Sequence, residues 1–292
     1  MTYEFTVDSE HEGKRLNSFL RGPALMSRSL IRSVKNTLDG VLVDGEDVHE
    51  DAILHAGQTI TITVPQHINL LTPSALAVPI VYENENVLVY DKPAGVATHP
   101  SLNQPDDTLA NVYAARVKES GEQDVFRPVN RLDKNTSGLI LAARDRYVAP
   151  LLGKSASKQY YAIAEGVIPD DRGRIDAPIA RAGESLIKRV VTPEGSPSVT
   201  DYEVMERFEN HTLVLVKPHT GRTHQIRVHF AHIGYPLAGD TLYGGSDKYI
   251  DRTALHCAIL YFNDPLTGRR IKVQSALPDD MRYFLDALYG MQ

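Results

Sequence analysis

A single cysteine, Cys257, among 292 residues leaves no internal disulfide to form and points to a reducing compartment. No apolar run approaches the roughly 20 residues that a membrane-spanning helix needs. The opening stretch MTYEFTVDSEHEGKR carries acids where a secretory leader is basic, and no apolar core follows it. Cytoplasmic placement is therefore the expectation. Neither a P-loop nor a GxGxxG turn occurs, so nothing signals a bound nucleotide, and no G-x-S-x-G elbow signals a serine hydrolase. Repeats and low-complexity segments are missing as well.

What is present suits a soluble chain of one large unit and one small one, with 42% hydrophobic residues. The net charge of −6 argues against a nucleic-acid partner only on average, because the charges are unevenly spread. Residues 1–65 hold six basic and ten acidic side chains, yet all six cations fall between Glu12 and Asp39, where no acid occurs. A second acid-free window, between Glu209 and Asp240, holds Lys217, Arg222, Arg227 and five histidines. A phosphate backbone responds to the local field, so these two windows are the expected RNA-facing surfaces.

Residues 14–36 read as two short helices parted by Gly22 and Pro23, with Ser27 as N-cap of the second. Arg28, Arg32 and Lys35 share one face of that second helix, while Leu30, Ile31 and Val34 occupy another. Val41–Val43 and Thr59–Val64 read as strands, the first closed by the turn 44–47. The strings GKRLNSFLRG, SRSLIRSVKN, GVLVDGEDV and GQTITITVP resemble an S4 RNA-binding domain. Residues 66–79 contain Pro73 and Pro79 without periodicity and read as a linker to a second unit over 80–292.

In that second unit β segments dominate: Ile80–Tyr82, Val87–Asp91, Leu139–Ala143, Lys158–Glu165, Thr200–Val204, Thr212–Lys217, Ala254–Phe262 and Arg270–Gln274. Helices are expected at Thr108–Lys118, Asp145–Lys154, Thr223–Ile233 and Pro278–Gly290. The two kinds do not alternate regularly, so the fold class is α+β: a mixed, largely antiparallel sheet with helices at its edges.

The most informative run is RPVNRLDKNTSGLILAA, residues 127–143. It sets Asp133 in a polar turn between Arg131 and Lys134, just before an apolar strand. A carboxylate ionised there by basic neighbours can act as a nucleophile. The run resembles the signature loop of the RluA-type pseudouridine synthases, which isomerise uridine in RNA. That resemblance implies that Asp133 attacks the nucleoside, at C1′ of the ribose or C6 of the base. It also makes Arg131 the wedge that displaces the target base. The family usually has His before the Arg-Leu-Asp triplet; here Asn130 stands in that place, and an amide cannot take a proton near pH 7.

Two more strings continue the likeness. KQYYAIAEG resembles a family strand whose tyrosine stacks on the flipped uracil, which implies that role for Tyr160, with Tyr161 on the opposite face. GRTHQIRVHFAHIGYPLAGDTLYGG implies a salt bridge from Arg227 to Asp133. Asn130, Thr136, Arg222, His224 and Gln225 join Arg131, Arg28, Arg32 and Lys35 as expected RNA contacts. VYDKPAGVATHP resembles the first family motif and is expected only to pack beside the catalytic loop. His229 and His232 are three apart on the proposed helix, unlike the i, i+4 spacing of helical metal ligands, and no metal is expected.

The implied function is an RNA pseudouridine synthase that needs no cofactor, because isomerisation consumes nothing. Large-subunit ribosomal RNA is the expected target and a monomer the expected state. Transfer RNA is an alternative substrate. A non-catalytic RNA-binding or ribosome-assembly protein on the same fold is the alternative from another class.

Overall fold

The structure is a computed structural model and describes every residue except His67, Asn103, Leu186 and Gln292. Residues 1–64 build a four-stranded antiparallel sheet from β1 (Thr2–Thr6), β2 (Val41–Val43), β3 (Glu46–Asp47) and β4 (Thr59–Thr63), ordered β1-β4-β2-β3. In β4 the sequence TITIT alternates, and Ile60 and Ile62 point inward while the threonines stay half-exposed. Helices α1 (Leu16–Arg21) and α2 (Arg28–Lys35) pack Leu16, Phe19, Leu20, Leu30, Ile31 and Val34 into the same core. Ser27 caps α2 as expected, its Oγ accepting the Leu30 N–H at 3.2 Å. Strand β1 was not foreseen. It is the edge strand that pairs β4 from Thr2 opposite Thr63 to Thr6 opposite Thr59.

The stretch 66–79 has no strand or helix among its described residues, and His67 lies outside them. It is nevertheless tied down: the Ser74 N–H donates to the Asn111 carbonyl at 3.1 Å, and the Asn111 amide donates to the Thr72 carbonyl at 2.8 Å.

Beyond it lie β5 (Ile80–Glu83), β6 (Val87–Lys92), β7 (Arg127–Pro128), β8 (Ser137–Ala143), β9 (Ser157–Glu165), β10 (Arg172–Asp176), β11 (Ile179–Arg181), β12 (Arg189–Val191), β13 (Val199–Arg207), β14 (His211–Pro218), β15 (Leu255–Asn263) and β16 (Arg270–Gln274). Ten of them form one sheet with the spine β10-β13-β14-β9-β15-β8-β6-β5; β16 joins β15 and β7 joins β8. Among the described residues only the β15–β8 pair is parallel, so the sheet is mixed and largely antiparallel, as the sequence implied. Strand β8 is buried at all seven positions, which is why SGLILAA does not alternate. Strands β11 and β12 form a separate hairpin.

The helices are α3 (Leu109–Ser120), α4 (Val148–Ser155), α5 (Gln225–His232) and α6 (Asp279–Tyr289). They correct one expectation, because α4 crosses the central strands β8 and β15 and is not confined to a sheet edge. Its start is also later than expected. Asp145 is a cap: its Oδ1 accepts the N–H groups of Tyr147 and Val148 at 2.8 and 2.9 Å. Asp145 also accepts the Tyr3 hydroxyl, and the Tyr3 and Tyr147 rings lie 4.5 Å apart. One apolar core therefore runs from the small sheet into the large one. Among the described residues no helix is long and apolar enough to cross a membrane.

Candidate active site

Asp133 sits on the loop between β7 and β8, and that loop is nailed down along its backbone. The Thr98 hydroxyl donates to the Leu132 carbonyl at 3.0 Å. The Lys134 carbonyl accepts from the Gly95 N–H at 2.9 Å and from Lys92 Nζ at 3.2 Å. Arg252 donates to the Asn135 carbonyl at 3.3 Å. The Thr136 N–H closes the turn on the Asp133 carbonyl at 3.1 Å. A side chain on so braced a turn needs little reorganisation to act.

The loop forms one wall of a cleft of about 600 Å³, whose lining includes Arg131, Asp133, Thr136, Lys158, Tyr160 and residues 220–227. Arg227 comes from α5 on the opposite wall. Its Nη1 donates to Asp133 Oδ2 at 3.1 Å, while Nε and Nη2 form a bidentate pair with Asp240 at 2.6 and 2.7 Å. Asp240 is buried and Asp133 is 31% exposed, so the first anchors the guanidinium and the second stays open to the cleft. Burial works against the Arg227 charge, but the Asp240 bonds and the nearby Asp133 outweigh it and hold the guanidinium above its usual value. His224 brings Nε2 to 3.7 Å from the same Asp133 oxygen.

Tyr160 forms part of the cleft lining from β9, opposite Cys257 of β15 in the register. Burial, and then the charge interaction and hydrogen bond with the Cys257 thiol, push its phenol well above the usual tyrosine value. The residue is itself buried, and its oxygen stays protonated. Cys257 is buried, its thiol pushed up to about 12 mainly by that burial. Asp133, Tyr160 and Arg227, which lie far apart in sequence, thus share one cleft.

The expected contact residues divide. Arg131 and Arg222 are exposed at the cleft, and Arg28 and Arg32 are exposed on α2. Lys35 is instead bonded to Glu50 at 2.5 Å. Asn130 and Gln225 do not offer their side chains to a ligand. The Asn130 amide donates to the Leu139 carbonyl at 3.1 Å and its oxygen accepts the Leu141 N–H at 2.8 Å, so it clips the loop to β8. Gln225 is buried, with its oxygen taken by Thr220 and the Arg222 N–H and its nitrogen by Val199 and Thr200. Thr136 is buried at the base of the loop. Helix α5 begins at Gln225 because His224 adopts a left-handed backbone, φ +56°, which turns its imidazole toward Asp133. His229 is buried with both ring nitrogens bonded, to Thr200 and to the Ala177 carbonyl.

Three residues were missed by sequence reasoning. Lys92, inside VYDKPAG, is fully buried beneath the loop. Asp240 and Tyr243 share one turn, and the Arg227 guanidinium lies over the Tyr243 ring at 5.1 Å. The signal for Asp240 was chemical: a guanidinium has five donors, and one carboxylate does not satisfy them.

The chain matches the RNA pseudouridylate synthase family over residues 86–232. It is 38% identical to an uncharacterized RNA pseudouridine synthase of Bacillus subtilis, YlyB, over 98% of this chain and 97% of that one. It is 40% identical to ribosomal large subunit pseudouridine synthase D of Pseudomonas aeruginosa, over 86% of this chain and 84% of that one. Among solved structures, human RNA pseudouridylate synthase domain containing 1 superposes with a TM-score of 0.56 at 25% identity, over 75% of this chain and 98% of that one.

Proposed function

This chain belongs to the RNA pseudouridylate synthase family, and from that premise we propose that it converts specific uridines of large-subunit ribosomal RNA to pseudouridine with Asp133 as nucleophile. The observation that carries the reading is the Arg227 guanidinium, held by buried Asp240 and offered to Asp133 at 3.1 Å within the cleft. The ribosomal target is supported by relatives named ribosomal large subunit pseudouridine synthase D.

The isomerisation breaks the bond from C1′ to N1, turns the base, joins C1′ to C5, and moves the C5 proton to solvent while N1 gains one. Nothing is consumed. Asp133 forms an ester at C1′ or an adduct at C6 and is released when the new bond has formed. To reach it the nucleotide leaves its stack, at a cost of a few kcal/mol, and Arg131 at the cleft takes the vacated place. Tyr160 meets the base with its ring, since its protonated hydroxyl makes it a poor proton acceptor. Residues 1–65 act as an S4-like RNA-binding unit joined through 66–79 to the catalytic unit 80–292, with Arg28 and Arg32 on the phosphate backbone. The protein works in the cytoplasm as a monomer.

The test is to incubate purified protein with ribosomal RNA and, separately, transfer RNA from cells lacking it, and to map pseudouridine. New pseudouridine in the large-subunit RNA is expected. Asp133→Asn should abolish turnover with RNA affinity kept within about threefold, since an amide keeps the shape and loses the nucleophile. Conversion of transfer RNA alone overturns the target, and no conversion of either overturns the activity.

A further inference from the structure

Asp133 faces a second polar group whose state the surroundings dictate. The backbone N–H of Arg189, on β12, donates to the Tyr243 hydroxyl oxygen at 2.9 Å. That same oxygen lies 2.8 Å from Nδ1 of His224. A backbone N–H can only donate, so it takes the accepting side of the phenol. The phenol has one hydrogen, and the remaining partner is Nδ1. A nitrogen that accepts a hydrogen bond carries no proton, which leaves the imidazole proton on Nε2. Nε2 is the atom that faces Asp133 at 3.7 Å.

Resting on Asp133 as the nucleophile, we propose that Tyr243 is a positioning residue that locks His224 in its Nε2–H tautomer, so that His224 offers Asp133 a fixed hydrogen-bond donor and never a base. The Tyr243 ring also lies beneath the Arg227 guanidinium at 5.1 Å, so one side chain places both groups that address the carboxylate. The arrangement suits a carboxylate that acts twice. An N–H aimed at that oxygen makes the carboxylate a better leaving group when the intermediate collapses. It also keeps His224 from competing for the proton. The anchoring N–H belongs to the β11–β12 hairpin, where Arg189 stands opposite Arg181, so the hairpin backbone sets the tautomer at the active site.

Protonating His224 would turn Nδ1 into a donor, and the phenol would have to give up its bond to Nδ1, swing its hydrogen away and accept a second N–H. The groups around the ring divide: burial, Arg227 and Arg189 oppose the charge, while Asp133 and Asp240 favour it, and the balance lies below the ordinary histidine value.

The experiment is long-range proton–nitrogen NMR on the full-length, nitrogen-15-labelled protein without RNA, with His224 assigned by its loss in His224→Gln. At pH 7.5 the wild type should show a protonated Nε2 and a bare Nδ1. Tyr243→Phe keeps the ring and removes the hydroxyl; the two nitrogen signals should then converge and the His224 titration midpoint should rise. A purely structural Tyr243 would lower the melting temperature in this variant and leave the tautomer as it was, which overturns the proposal, as does a proton on Nδ1 in the wild type. With ribosomal RNA from cells lacking the protein, the single-turnover rate should fall at least about tenfold in Tyr243→Phe, with KM little changed. His224→Gln, which retains an N–H donor, should keep more activity than His224→Leu, and equal losses overturn the donor role. The NMR result stands whichever RNA is modified, so its failure is separable from failure of the proposed activity.

Discussion

Lys92 carries more of the active site than its place in the sequence suggests. Its Nζ donates to the carbonyls of Pro93 at 2.9 Å, Val96 at 2.6 Å and Lys134 at 3.2 Å. Three acceptors match the three N–H bonds of an ammonium. Burial outweighs the opposing pull of the Asp133 charge and brings the amine down to about 7. An unfolded lysine keeps its proton to roughly pH 10. Between those values the unfolded chain binds more protons than the folded one, so the contribution of this group to stability rises with pH across that window and is constant below it. Lys92→Met should remove that slope. Urea unfolding at pH 7 and pH 9 should show the wild type gaining stability relative to the variant, and parallel pH profiles would contradict it. The string VYDKPAG was legible as a motif, but its lysine was assigned no role, because a lysine is so rarely buried.

The Asp133 loop is held in place because β8 begins where it does. Gly138 pairs in parallel with Cys257, with φ at +110°. A Cβ added there would lie 2.3 Å from the Cys257 carbonyl oxygen, a backbone atom that cannot step aside. Gly138→Ala should therefore cost about 3 kcal/mol or more, through a clash and a strained backbone together. Chemical denaturation checks this, and a loss under 0.5 kcal/mol would mean that the strands part easily. Apolar runs in β8 and β15 and the alternation in β4 made these strands readable. Strands β10, β11 and β12 were not, since RGRID, IAR and RVV are short, charged and exposed, and they are strands because a neighbour pairs them. Helix α5 starts two residues later than expected because His224 takes a left-handed backbone, a conformation no periodicity announces.

The four-stranded sheet meets the unit of the ten-stranded sheet through Tyr3, Phe5 and Tyr147, with Arg146 donating to Ser33 of α2 at 3.0 Å. The basic face of α2 is thereby carried at a set distance from the cleft. Lys35 is exposed but paired with Glu50, whereas Arg28 and Arg32 are exposed with no carboxylate partner among the described residues. Replacing both with Ala should weaken RNA binding across sequences and flatten the plot of log affinity against log salt by about two units. Filter binding from low to moderate salt measures that slope, and an unchanged slope would place the RNA elsewhere.

Chemical identity was written in the chain. Asp133, Tyr160 and Arg227 stand in strings that resemble the motifs of one enzyme family, and the apolar runs around them specify strands. The partnerships were not written there. Asp240 and Asp133 share one guanidinium, Tyr243 holds His224, Lys92 props Lys134, and Asn130 and Gln225 turn inward to the frame. A side chain can spend its hydrogen bonds on the fold or on a ligand, and that choice depends on groups that become neighbours only when the strands pair.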